Sequence, residues 1–240
     1  LKFFDRLVFA ARPSHAHAVA AYDKALRERL RLLSDAAERD LAPDPLWLDA
    51  LEARLAESGA AAALNRAEAL VELQSAIDDR TQTPFPQGDL SLVGEAEQRA
   101  GEGASSEDLI TALSEGFRRA RARDGAAGRS LFGPHRTDLT AVHREKGRQA
   151  SEGSSGEQKA LVLNLILAQL SRLADSEPRP ILLLDEAPAH LDDARRAALF
   201  DEIEALGLQA VMTGTERGLF SALEGRATFV RVAGGGFTPD

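Results

Sequence analysis

From about Ser14 to Ser34 apolar residues return every three or four positions, with Val19, Tyr22, Leu26, Leu30 and Leu33 on one stripe and Arg27, Glu28 and Arg31 away from it. That spacing predicts an amphipathic helix. The breaker Ala42-Pro43-Asp44-Pro45 ends it. A second helical pattern then runs from Leu46 past Ile77 through Leu51, Leu55, Leu64, Leu70 and Leu73, with Gly59 as a point of weakness. Two long helices across a short turn predict an antiparallel arm. Thr81 to Gly94 contains Pro84, Pro86 and Gly88 and reads as a loop, with a brief strand at the alternation Leu90, Leu92. A third helix is expected from Ser105 to Arg123, and the DGAAGRS that follows marks a boundary.

Beyond Leu131 the pattern changes to α/β. Asp138 to Val142 and Gly147 to Ala150 can pair as a hairpin across a turn near Lys146 and Gly147. After it, SSGEQK opens a helix whose continuation, ALVLNLILAQL, is apolar nearly all round and is therefore expected to be buried. Ile181 to Leu184, preceded by Pro178 and Pro180, fits a parallel strand buried on both faces. Ala194 to Leu206 reads as a helix and Gln209 to Thr213 as the next strand, giving a βαβ unit, the usual framework of a nucleotide site. TFVRV adds one more strand before Gly234, Gly235 and Gly236.

The 240 residues are 44% apolar, enough for a soluble core. The absence of cysteine excludes disulfides and thiolate metal sites, the five histidines show no metal-binding spacing, and no apolar run is long enough to span a bilayer. These features point to the cytoplasm. LKFFDRLVF has neither an initiating Met nor the layout of a signal peptide, so it reads as an internal stretch of a longer protein. A formal charge of −9 argues against a generally basic nucleic-acid coat, although 29 Lys and Arg allow local patches.

The candidate chemistry lies at two places. Four aliphatic residues run into Asp185 and Glu186. A carboxylate pair ending a strand can hold Mg²⁺, here at Asp185, and supply a general base, here Glu186; taken alone, it can also be a helix cap or solvated charge. In SSGEQK, Ser154 offers a hydroxyl and Gly156 an unobstructed backbone at a helix amino terminus, where phosphate binds well; an ordinary Ser-capped helix is the plainer reading. Asp192, in Ala189-His190-Leu191-Asp192, suits either a loop crossing between subunits or the cap of the next helix, while His190 reads as a surface residue. His143, Arg144, Lys146 and Arg148 cluster at the hairpin, and Arg118, Arg119, Arg121 and Arg123 line the end of the third helix. Each cluster suits phosphate contact or a solvated face.

On these residues the chain resembles the RecF family of ABC-type, SMC-like DNA-repair ATPases over almost its whole length. SSGEQK and LLLDEAPAHLDD match the signature and Walker B segments of the ABC superfamily. GPHR, at Gly133 to Arg136, and the lead into the arm, LKFFDRLVF with HAVAAYDKALRERLRLL, point to RecF within it. The resemblance implies a helical arm over residues 1–130 and, over 131–240, the carboxyl-terminal lobe of a P-loop-type ATPase head with a largely parallel sheet. It further implies ATP-dependent dimerisation on duplex, gapped or junction DNA during recombinational repair of replication gaps, alongside RecR and RecO. In that arrangement Ser154 and Gly156 of one copy close over ATP held by another, with Gln158 and Asp192 also at the nucleotide, Mg²⁺ at Asp185 and Glu186 as the base. Arg144, Lys146, Arg148, Arg119 and Arg123 are the expected DNA contacts, and a nucleoid-associated cytoplasmic location follows.

There are departures. No GxxxxGKS or GxxxxGKT occurs, so the phosphate-cradling Walker A loop is expected before Leu1, and ATP hydrolysis is expected of the full-length protein rather than of this chain alone. Thr137 follows GPHR where the family often has an acid, which leaves the role of Asp138 open. Thr213-Gly214-Thr215 stands where an ABC transporter has its switch histidine, making Thr213 a weak candidate for the γ-phosphate. The alternatives are a transporter nucleotide-binding subunit, an SMC-like chromosome ATPase, for which the arm is short, or a non-catalytic DNA- or protein-docking piece.

Overall fold

Asp44 starts the longest helix of the chain: its carboxylate accepts the N–H groups of Leu46 (2.9 Å) and Trp47 (3.3 Å), and Pro45 fits the first helical position, which needs no donor. The computed structural model describes residues 1–39, 41–174, 176, 179–233 and 235–239; Pro178, Gly234 and the side chain of His190, all named above, lie outside the described part. Helix α1 (Lys2–Ala11) leads into α2 (Pro13–Glu38), which packs along α3 (Pro45–Asp79). The arm is thus a helical hairpin. Helix α4 (Glu95–Gly101) and helix α5 (Ser106–Ala127), the latter opened by a Ser105/Asp108 capping box, complete its bundle.

The bundle core is rich in alanine, with Tyr22, Ala25, Leu55, Ala56, Ala60, Ala63, Leu109, Leu113 and Phe117 in one cluster. Gly59 does not weaken α3. A Cβ there would stand 3.2–3.3 Å from Tyr22, Leu113 and Pro134, so its small size lets three elements close on the helix. The stripe on α2 is also rotated from expectation. Val19, Leu26 and Leu30 are only half buried, while Arg29 is 0% exposed. Its guanidinium is satisfied inside by Glu52 (2.9 Å), Asp124 (2.7 Å) and the Phe117 carbonyl (2.8 Å), and it lies 5.4 Å from the Phe117 ring centre. A charge pattern alone does not reveal such pairing.

A second buried network joins the arm to GPHR. Arg66 on α3 donates to both carboxylate oxygens of Asp5 on α1 (2.8 and 3.1 Å), to Glu97 on α4 (2.8 Å) and to the carbonyl of Pro134 (3.0 Å). Thr137 donates to Glu97 at 2.6 Å, and His135 bridges the Tyr22 hydroxyl (2.8 Å) and the Ser130 carbonyl (3.2 Å). If Nε2 of His135 carries the proton toward Ser130, Nδ1 is left to accept from Tyr22. Gly133 has φ +122°, and a Cβ on it would sit 2.4 Å from the Tyr22 hydroxyl. Only glycine fits there. Asp138, exposed at the next strand, accepts its neighbour Leu139's N–H at 2.9 Å.

The brief strand at Leu90 and Leu92 is β1 (Gly88–Val93), and its partner lies fifty residues on. It pairs antiparallel with β2 (Asp138–His143), which also pairs with the two-residue β3 (Arg148–Gln149), so the expected hairpin is the outer half of a three-stranded sheet. Leu90 and Leu92 face Leu73 and Ile77 of α3 and Leu161 and Leu165 of helix α6 (Ser155–Leu173). The opposite side of α6 offers Leu163, Leu167 and Leu170 to a second core, with Leu182 and Leu184 of β4 (Leu182–Leu184) and Leu199, Phe200 and Ile203 of helix α7 (Asp193–Ala205). Packing on two sides explains why α6 is apolar nearly all round.

Strand β4 runs parallel to β5 (Ala210–Met212), with α7 between them in sequence, which is the expected βαβ unit. Its burial differs from expectation. Leu182 and Leu184 are buried but Leu183 is 72% exposed, because α6 and α7 cover one face and no described element of this chain covers the other. The last strand is a hairpin of β6 (Val230–Ala233) and β7 (Gly236–Pro239), turning at Gly235 with φ +78°. No helix among the described residues is long and apolar enough to cross a membrane.

Candidate nucleotide-binding site

Asp185 and Glu186 follow β4 directly, at the carboxyl end of the parallel pair, where open α/β sheets bind ligands. Both are exposed. Thr213, the residue after β5, holds them. Its N–H is bonded to the Leu184 carbonyl (2.9 Å), its hydroxyl donates to Asp185 Oδ1 (2.5 Å), and that Thr213 hydroxyl oxygen accepts the Glu186 N–H (3.1 Å). Glu186 is the one non-glycine residue with positive φ among those described, at +52°. A left-handed conformation costs a residue with a Cβ about 1–2 kcal/mol, and such strain concentrates at functional positions. Here a backbone hydrogen bond fixes it, leaving the carboxylate at the sheet end. The sequence suggested Thr213 for a phosphate; its observed partners are the two acids, and a hydroxyl one strand over from a strand-end acid pair is the signal for that clip.

The amino terminus of α6 is open. Ser154 and Glu157 form a reciprocal capping box, with Ser154 N–H donating to Glu157 at 2.7 Å and Glu157 N–H to the Ser154 hydroxyl at 3.3 Å. A Cβ built on Gly156 would meet nothing within 4 Å. The Gln158 amide turns back to the carbonyls of Ser151 (3.1 Å) and Gly153 (3.0 Å), so it stiffens the leader of the helix. Asp192 caps α7 through the Arg195 N–H at 2.8 Å, which is one of its two expected roles.

Arg144, Lys146 and Arg148 at the hairpin are occupied by carboxylates of the chain, whereas His143 is buried. Arg144 binds Asp89 (2.6 Å) and Asp78 (2.7 Å), whereas Lys146 and Arg148 both bind Glu157. Such exposed pairs are screened by water and contribute little, so a phosphate can compete for the cations. On α5, Arg119 makes a loose 3.5 Å pair with Glu115 and Arg123 is exposed. Lys146, followed by the N–H and hydroxyl of Ser154, pulls the Glu157 carboxyl down from its ordinary 4.5 to about 2. A depressed folded value favours the folded contact above the ordinary value and loses it as pH falls toward 2. NMR titration should therefore find Glu157 still ionised at pH 3, and Lys146→Ala should move its midpoint up toward 4.5. A wild-type midpoint at the ordinary value means that the clamp on the helix terminus does not form in solution.

The oxygen donors present suit Mg²⁺. Among the described residues no three or more His, Cys, Asp or Glu converge on a metal, but Mg²⁺ characteristically takes one or two carboxylates and completes its shell with water and substrate phosphates. Asp185 is the residue that would hold it.

Comparison with known proteins bears on what this arrangement serves. No family model matches the chain. It is 57% identical over 239 residues to the DNA replication and repair protein RecF of Caulobacter vibrioides, covering 99% of this chain and 62% of that protein. Identity to the RecF of Brucella abortus is 48% over 244 residues, covering 99% and 61%. Among solved structures, one described as the recombination mediator protein RecF-ATPrS in the RecFOR pathway has the same fold, with a TM-score of 0.78 at 21% identity over 99% of this chain and 62% of that one. The corresponding RecF-ATP structure gives 0.75 at 20%, over 99% and 61%. The chain thus spans about three fifths of the length of the relatives it matches. Identity near half, sustained along virtually every residue and joined to a shared fold, makes this chain a member of the RecF family.

Proposed function

We propose that the chain forms the arm and the signature and Walker B parts of a DNA-binding ATPase that dimerises on DNA when ATP binds and acts in the recombinational repair of replication gaps. In this reading the exposed terminus of α6 in one copy, with Ser154 and Gly156, closes over the nucleotide held beside Asp185 and Glu186 of the other. The observation that carries it is the Thr213 clip, which presents both acids at the end of a parallel strand while the capped terminus of α6 stays open. Asp185 would hold Mg²⁺, which when bound would neutralise phosphate oxygens; Glu186 orients the attacking water and takes its proton. Gln158 and Asp192 keep the two helix leaders in shape around that site. DNA is held by Arg119 and Arg123 on the arm and by Arg144, Lys146 and Arg148 at the hairpin, after phosphate displaces their carboxylates. RecR and RecO are the protein partners, in keeping with the RecFOR pathway in which the RecF of similar fold is described, and the complex works in the cytoplasm at the nucleoid.

Sedimentation tests the two-copy site. Joined to the part of the Caulobacter relative that it does not span, the chain should be monomeric without nucleotide and dimeric with ATPγS. Ser154→Arg should retain nucleotide binding and lose the dimer, because the bulky cation enters the face that the second copy must approach. A dimer unaffected by Ser154→Arg removes the terminus of α6 from the interface.

A further inference from the structure

A hydroxyl beside a nucleotide site can serve the phosphate itself or the groups that act on it, and the hydrogen bonds of Thr213 decide between the two. An ionised carboxylate only accepts and a backbone N–H only donates. The 2.5 Å contact with Asp185 therefore uses the single proton of the Thr213 hydroxyl, and the 3.1 Å contact from the Glu186 N–H takes one of its lone pairs. A phosphate oxygen is an acceptor too, so in this arrangement Thr213 has no proton to offer a γ-phosphate.

The hydroxyl is fixed from both sides. Water competes for exposed groups, yet the Thr213 N–H bond to the Leu184 carbonyl and the register of Leu184 opposite Met212 set the hydroxyl beside the acids through the backbone alone. Behind it, a Cβ on Gly214 would stand 2.7 Å from the Phe220 ring, which stacks at 6.2 Å on the buried Phe200 of α7. The glycine lets that ring close against the strand end. Glu186 depends on this anchor, because its φ of +52° is disfavoured for a residue with a Cβ and its N–H is spent on the Thr213 oxygen. Without that acceptor the peptide is free to relax, and the carboxylate moves with it. We infer, on the reading of the two acids given above, that Thr213 is a positioning residue for hydrolysis: one oxygen sets the metal-holding and the water-activating carboxylate in a common frame without touching the nucleotide.

Thr213→Val keeps the shape and the branch of the side chain and removes the hydroxyl, whereas Thr213→Ser keeps the hydroxyl. In this chain, hydrogen exchange at the Glu186 amide, followed by NMR, should quicken by at least about tenfold in Thr213→Val and stay near the parent in Thr213→Ser. In the chain joined to the part of the Caulobacter relative that it does not span, Thr213→Val should lower kcat by at least about tenfold and leave the KM for ATP within about twofold, because a displaced base slows the reaction rather than binding. Thr213→Ser should recover kcat to within about threefold of the parent. Adding Thr213→Val to Glu186→Gln should slow turnover little further, since no base is left to place. A raised KM at parental kcat assigns Thr213 to the phosphate and overturns the positioning role. So does a Thr213→Ser variant as slow as Thr213→Val, which credits the methyl group, or a slowed Thr213→Val whose Glu186 amide exchanges as in the parent. Slow Glu186→Gln beside parental Thr213→Val overturns the role of Thr213 and leaves the base standing, while parental Glu186→Gln removes the base and the positioning role together.

Discussion

Glu186→Gln, in a protein that joins this chain to a phosphate-loop lobe, is expected to slow ATP turnover by at least about a hundredfold, the scale of losing a general base. Nucleotide binding and dimer closure should survive. The substitution keeps the shape of the side chain, and the strained backbone beneath it is held by the Glu186 N–H to the Thr213 hydroxyl, which an amide does not disturb. The variant should accumulate as an ATP-bound dimer, visible by sedimentation under conditions in which the parent cycles. Turnover at the parental rate takes the base role away from Glu186. A loss of nucleotide binding instead indicates that its carboxylate serves the ground state.

Arg66→Met should lower stability by about 3–5 kcal/mol, because it leaves buried carboxylates without their shared cation. For a chain of this size that corresponds to a melting temperature lower by on the order of 10 °C, measurable by calorimetry. Combining it with Glu97→Gln should recover part of the loss, which a simple packing defect does not predict. The pH dependence has a definite sign. Burial raises the Asp5 carboxyl, but hydrogen bonds from His15 and Arg66 outweigh it and hold the group below its ordinary 3.8. The wild type therefore keeps this contribution above about pH 4 and loses it progressively on further acidification. Without Arg66 the burial effect is less opposed, so the deficit of the variant should shrink as the pH is lowered toward that range. A deficit independent of pH argues that the lost packing of the long side chain, rather than charge, is responsible.

Much of the architecture is written in periodicity. The arm helices, α5, α6, α7 and the β4–β5 pair all follow from spacing, because each buries one continuous face or run. The pairing of β1 with β2 was not legible, since nothing local in Leu90 and Leu92 names a partner fifty residues away. Nor was α4, whose seven residues span too few turns to display a stripe, or α1, which lies in a segment too short for a pattern to stand out. The acids at the end of β4 and the Ser-Gly opening of α6 were identifiable because their chemistry sits in a few adjacent residues. Thr213, by contrast, acquires its role only through the parallel register that sets it beside Leu184 and Asp185. Arg29 and Arg66 look like solvated charges in the sequence, and only the fold supplies the carboxylates that admit them to the interior.

Helix α6 is wedged between both leucine-rich cores, and its first turn is the one proposed to meet the phosphate of a second molecule. A rod gripped along opposite flanks has no slack to take up a push at its tip. In the proposed dimer closure, a displacement of Ser154 would therefore be passed to α3 and the arm on one flank and to the acid-bearing strand on the other. Such a lever would tie the proposed clasp at the nucleotide to the orientation of a limb many turns away, without requiring a hinge.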